Sequence, residues 1–199
     1  MMRMTDVVKN LLVINVILYV VTHFIWTPGF NMLALYYPTS DLFRPFQIVT
    51  HMFMHGGVYH ILMNMLGLYM FGSSLEHLWG ARRFLFFYLF CGFGAMLLHL
   101  IVLFLEVGYN EYNGSMMGAS GAIFGLLAGY AMQFPNNMIS LLFPPISMKA
   151  KYFVPIFAAI DLFLGFGNYD TGVAHFAHVG GALFGFLLIL YWQKFGTRL

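Results

Sequence analysis

A serine among the smallest residues, Gly118-Ala119-Ser120-Gly121, and a histidine followed by glycines, His178-Val179-Gly180-Gly181, are the features of this sequence best suited to covalent chemistry. A serine hydroxyl is a weak nucleophile until a base takes its proton, and neutral imidazole is the usual base. The neighbours of Ser120 leave its hydroxyl sterically open. At the start of a helix it would also stand beside backbone N–H groups that have no intrahelical acceptor. The tetrahedral intermediate of acyl transfer needs such donors. The serine motif alone also reads as a helix cap in a glycine-rich packing segment. His178 is what turns the reading toward catalysis.

Further polar residues stand in apolar surroundings. His60 and Asn64 are four apart, so they share a helical face that Gly67 continues. Each can donate a side-chain hydrogen bond, which suits an oxyanion hole, or equally an interhelical polar contact. Phe124 lies one turn beyond Ser120 and can stack on an imidazole. His175 precedes His178 by one turn and either lines the site or caps its helix. Asp161 can orient a histidine or pack in a polar pocket. His51 and His55 have the spacing of zinc ligands on a helix, but no H-E-x-x-H is present and no glutamate lies between them. No metal and no cofactor is therefore expected. The single cysteine, Cys91, sits in an apolar run and reads as a small buried hydrophobe.

The elements that must position these residues are membrane helices. The chain has 199 residues, 61% hydrophobic and 8% charged, against about 25% charged in soluble domains. So few charges cannot cover an aqueous surface, and the net charge of +2 gives no case for nucleic acid. About 20 apolar residues cross a bilayer. Six candidate spans follow, at roughly 8–26, 57–74, 83–105, 119–134, 150–166 and 172–193, the fourth and fifth short. The first keeps no cleavage-site pattern and reads as a retained span rather than a signal peptide. The stretch between the first two, about 27–56, is half apolar and interrupted by Pro28, Pro38 and Pro45. It is expected at the membrane interface, partly as short helices. The expected architecture is all-α and polytopic, one domain over 1–199 with no soluble domain.

Charge orients the spans. With the N-terminus in the cytoplasm, Arg3, Lys9, Arg82, Arg83, Lys149, Lys151, Lys194 and Arg198 fall inside, and of the nine basic residues Arg44 alone falls outside. The outer loops carry Asp41, Glu106, Glu111 and Asp170. An even number of spans satisfies this pattern. Even-numbered spans then run inward from the outer side, which places His60, Asn64, Ser120, His175 and His178 near one depth. His178, about six residues into its span, would lie roughly 9 Å down. Ionisable groups inside spans are costly and by default functional. Gly121, Gly125 and Gly129 repeat at four-residue spacing, and Gly181 and Gly185 follow His178 on its own face. Such stripes let two membrane helices approach closely, so the serine and histidine helices are expected to touch.

These segments together resemble the rhomboid family of intramembrane serine proteases. The resemblance rests on His60-Ile61-Leu62-Met63-Asn64, Gly118-Ala119-Ser120-Gly121, and Ala177-His178-Val179-Gly180-Gly181 with Gly185, in that order among six spans. Glu76, placed just after the second span, falls where the family often carries a structural glutamate. The resemblance implies a Ser120–His178 dyad without a third acid, with His60, Asn64 and the Ser120 N–H around the oxyanion. It implies single-span membrane proteins as substrates, cut near the outer end of the substrate helix. The short loops and the lack of a targeting segment point to a bacterial plasma membrane. The family often has Trp-Arg in its first loop; here Phe43-Arg44 keeps only the arginine. Phe124 stands where some members have tyrosine, keeping the ring and losing the hydroxyl. Two other classes compete. A non-catalytic, client-binding relative usually lacks the serine or the histidine, and both are present. A small transporter often shows internal repeats, and neither the serine nor the histidine segment recurs.

Overall fold

Backbone N–H and C=O groups find no partners in hydrocarbon, so a chain this apolar must satisfy them within its own helices. The computed structural model describes residues 4–107, 114–141, 145–167 and 174–195, and these are mostly helical. Arg3, Glu111, Asp170 and Arg198, four of the charges used for orientation, lie outside the described residues. In chain order the helices are α1 (Asp6–Val20, extended by a π-helical turn Val21–Ile25), α2 (Pro28–Leu33), α3 (Gln47–Thr50), α4 (Val58–Gly67), α5 (Ser73–Trp79), α6 (Ala81–Val107), α7 (Ser120–Gln133), α8 (Ala150–Phe166) and α9 (His175–Lys194). Among the described residues, two small antiparallel pairs join loops: β1 (Leu35–Tyr36) with β2 (Ser115–Met116), and β3 (Met138–Ser140) with β4 (Ser147–Lys149).

Among the described residues, three helices are individually long and apolar enough to cross a membrane: Asp6–Ile25, Ala81–Glu106 and His175–Lys194. The chain is a membrane-embedded protein. The second expected span is longer than its apolar run suggested. Helical residues continue from α4 through a π turn, Leu68–Gly72, into α5 and stop at Gly80, whose φ of 80° favours glycine. Glu76 therefore lies within this run rather than after it. It reaches across to α1, where its carboxylate accepts from the Val7 and Val8 N–H groups and the Thr5 hydroxyl. A negative charge at a helix start satisfies orphan donors and complements the helix dipole. α7 and α8, at 14 and 17 residues, are short as expected.

The core lies where α6, α7 and α9 meet, with Phe87, Cys91, Leu126 and Ile189 fully buried. α7 is buried on nearly every side, from Gly121 through Ala131. Contact between α7 and α9 is backbone on backbone. A Cβ added to Gly181 would lie 1.8 Å from the Gly121 carbonyl oxygen, and one on Gly185 would lie 2.9 Å from that of Gly125. The two glycine stripes thus face each other, and α9 seats directly against the helix that opens with Ser120.

The stretch from 27 to 56 is a folded unit. Fully buried Gln47 organises it: its Oε1 accepts from the Arg44 and Tyr36 N–H groups, and its Nε2 donates to the Met32 and Leu42 carbonyls. Two links tie this unit to the serine segment. β1 pairs with β2, and the Gly118 N–H donates to the His51 carbonyl at 2.8 Å.

Candidate active site

Ser120 is the first residue of α7. Gly118 makes the entry turn with φ of 123°, a conformation that side chains with a Cβ rarely adopt. The first backbone bond of the entry runs from the Ile123 N–H to the Ala119 carbonyl. The N–H groups of Ser120, Gly121 and Ala122 therefore precede the helical ladder. Across the glycine seam, the Nε2 of His178 lies 2.9 Å from the Ser120 Oγ. That is hydrogen-bond distance for proton transfer from a hydroxyl to an imidazole.

Phe124 stacks on His178 with ring centroids 4.2 Å apart and planes 8° from parallel. It holds the plane of the imidazole, as the one-turn spacing from Ser120 predicts. His178 stands only three residues into α9, because the helix begins at His175. It lies about 4.5 Å from the helix start.

An acid also reaches His178. Asp161 of α8 places both carboxylate oxygens 3.3 Å from the Nδ1 of His178, and its Oδ1 accepts from the Nδ1 of His175 at 2.6 Å. The ligand atoms of Asp161, His175 and His178 lie within 4.8 Å of one another, a spacing that can hold a metal ion. The 2.6 Å contact is itself a hydrogen bond, so the donors already satisfy one another.

The oxyanion candidates are placed unequally. His60 stands at the serine: a Cβ on Gly118 would meet its Nε2 at 2.8 Å and the Ser120 Oγ at 3.6 Å. Its Nδ1 accepts from the Gly56 N–H at 3.3 Å, which leaves Nε2 as the protonated edge in the neutral ring. Asn64 is buried one turn further along α4, and its amide donates to the His60 carbonyl at 2.8 Å. That bond occupies one of its two N–H groups.

His51 and His55 are not solvated interfacial residues. Both are buried in the folded stretch, and burial pushes each imidazole down to about 4. His51 bonds through Nδ1 to the Gln47 carbonyl, while the His55 ring meets His60 edge-on at 5.1 Å. His99 of α6, an ionisable residue within a span, lies in electrostatic range of His51 and His178. Its apolar setting was the signal that could have singled it out. Gln47 carried no such signal, since a lone glutamine in a proline-broken stretch looks solvated.

Comparison with known proteins gives one consistent likeness. Residues 42–195 match the rhomboid domain family, a range that holds every residue of the site. RHOMBOID-like protein 4 of Arabidopsis thaliana is 38% identical over 135 residues, 68% of this chain and 31% of that protein. The mitochondrial presenilin-associated rhomboid-like protein of Mus musculus is 32% identical over 143 residues, 70% of this chain and 36% of that one. The mitochondrial RHOMBOID-like protein 6 of Arabidopsis thaliana is 32% identical over 142 residues, 71% and 42% respectively. The chain thus spans well under half the length of each of these relatives.

Proposed function

The chain belongs to the rhomboid family, and from that premise we propose that it is an intramembrane serine endopeptidase acting through Ser120 and His178. The observation that carries this reading is the 2.9 Å contact between the His178 Nε2 and the Ser120 Oγ. Ser120 attacks the scissile carbonyl while its proton passes to Nε2. The tetrahedral oxyanion forms beside the Ser120 N–H, with His60 and Asn64 as side-chain donors. His178 returns the proton to the leaving amine, and water then hydrolyses the acyl-enzyme by the same proton path.

The substrate class in this reading is single-span membrane proteins. Their helices must unwind locally, because a helical carbonyl is already hydrogen-bonded. The run 58–79, α7 and α8 join the three long helices as six spans of one domain, both termini cytoplasmic and the site toward the outer face of a plasma membrane. The positive-inside pattern of the basic residues supports that orientation. The unit from 27 to 56 lies at the outer interface, against bilayer lipid.

The test uses detergent-purified protein and a single-span substrate. Wild type cleaves. Ser120→Ala and His178→Ala each lose about 1,000-fold or more in kcat, the scale seen when a nucleophile or its base is removed. A fluorophosphonate labels wild type and not Ser120→Ala. Full activity in Ser120→Ala would end the serine mechanism.

A further inference from the structure

We propose that Asp161 is a positioning residue for the Ser120–His178 pair, held in register by His175; this rests on the proteolytic reading above. A carboxylate on a helix inside so apolar a bundle is costly unless paired and hydrogen-bonded. Asp161 is 7% exposed, and its described partners are two imidazoles. The two histidines lie one turn apart on α9, their ring centroids 6.5 Å apart and their planes nearly perpendicular. His175 is also buried, and its short bond fixes the carboxylate. The fixed carboxylate presents both oxygens at equal distance to the inner edge of the His178 ring.

Chemistry follows from this geometry. An ionised carboxylate only accepts, so the Nδ1 of His178 must carry the hydrogen. The neutral ring then bares Nε2 toward Ser120, the one tautomer able to take the hydroxyl proton. Phe124 cannot make that choice. A ring stacked on a flat face does not read which nitrogen carries the proton, and it keeps its plane even when a 180° flip puts a carbon where each nitrogen was. Phe124 fixes the plane and Asp161 fixes the edge. When Ser120 attacks, its proton moves to Nε2 and the ring becomes imidazolium. The Nδ1 hydrogen stays in place, and Asp161 remains an anion beside the new positive charge. The 3.3 Å contacts are long for a charge-assisted bond, as resting catalytic contacts often are before substrate binds.

Two measurements on the full chain test this. In Asp161→Asn, the carboxamide can donate to Nδ1 and stabilise the wrong tautomer. The expected result is a kcat lower by about 100-fold, a KM within about twofold, and a melting temperature close to wild type. Asp161→Glu should restore part of the rate, and His175→Ala should lower kcat by roughly tenfold by loosening the carboxylate. The second measurement uses wild-type protein alone and needs no variant to fold. Nitrogen NMR of histidine-labelled protein at neutral pH, with His178 assigned through its backbone, should show a protonated Nδ1 and a bare Nε2. A kcat for Asp161→Asn within about threefold of wild type, or a resting ring protonated on Nε2, overturns the proposal. Should wild type fail to cleave any single-span substrate, the proteolytic reading falls, and the resting tautomer still reports whether Asp161 orients His178.

Discussion

Glu76 and Asp161 stand at opposite ends of the bundle, and each buries a carboxylate in an apolar chain. They are equally hidden, at 6% and 7% exposure, but their partners differ in kind. Glu76 accepts from two backbone N–H groups and a hydroxyl, none of which changes protonation in the working range of a protein. It stitches α1 onto the run that contains α5. Asp161 accepts from two imidazoles, one of which contacts the Ser120 hydroxyl. The burial of a charge therefore does not separate a structural site from a chemical one. The protonation chemistry of its partners does. The glycine seam between α7 and α9 acts at the Asp161 end, where it brings Ser120 to His178.

The largest effect expected at that end comes from breaking the seam. Gly181→Ala puts a methyl group 1.8 Å from the Gly121 carbonyl oxygen, and no side chain can move aside because the obstacle is backbone. The helices must separate, at a cost of about 3 kcal/mol, the upper range for overpacking. Thermal unfolding should shift down by about 6–12 °C for a chain of this length. Cleavage should fall below detection, since a separation of about 1 Å removes the Nε2–Oγ contact. Retention of wild-type kcat in Gly181→Ala would mean that the seam does not set the Ser120–His178 distance.

Glu76→Gln sharpens the contrast and should have a smaller effect. The carboxamide keeps one acceptor and turns a donor toward groups that themselves donate. The loss of charge-assisted bonds is worth about 1–3 kcal/mol. The melting temperature should therefore fall by several degrees, while kcat per folded molecule stays within about twofold of wild type. Asp161→Asn should do the reverse. If Glu76→Gln lowered kcat as far as Asp161→Asn, both carboxylates would be acting on the site through the fold, and the distinction between them would fail.

The glycine stripes and the Ser120–His178 pairing could be read from the sequence because helical spacing is short-range and regular. Gly121, Gly125, Gly181 and Gly185 announce a close approach, and the polar residues beside them have few other reasons to be there. The partnership of Asp161 could not be read in the same way. It depends on how far α8 rotates against α9, and a lone aspartate carries no periodicity that reports rotation. The continuation of the helical run from α4 into α5 past its apolar stretch was hidden for a similar reason. Ser73, Ser74 and Glu76 look like the end of a membrane helix, yet a buried Glu76 finds its donors on α1, nearly seventy positions away in the chain. Gln47 shows the limit most plainly, since its four bonds close a loop whose path no local pattern dictates.

The smallest effect expected at the Asp161 end is at Phe124. Its ring lies flat on His178, and an aromatic pair of this kind is worth about 0.5–1.5 kcal/mol beyond simple burial. If that energy goes into holding the imidazole plane, Phe124→Leu should lower kcat by roughly 2- to 12-fold, since 1.36 kcal/mol is a factor of ten in rate. KM should change little, because the ring packs against the base. Phe124→Tyr keeps the stacked ring and should stay near wild type. The order matters more than either value. Phe124 restrains the ring plane by packing, Asp161 selects its edge by charge, and Asp161→Asn must therefore cost more than Phe124→Leu. If the two losses came out reversed, His178 would be governed by its aromatic neighbour, and Asp161 would resemble Glu76 after all.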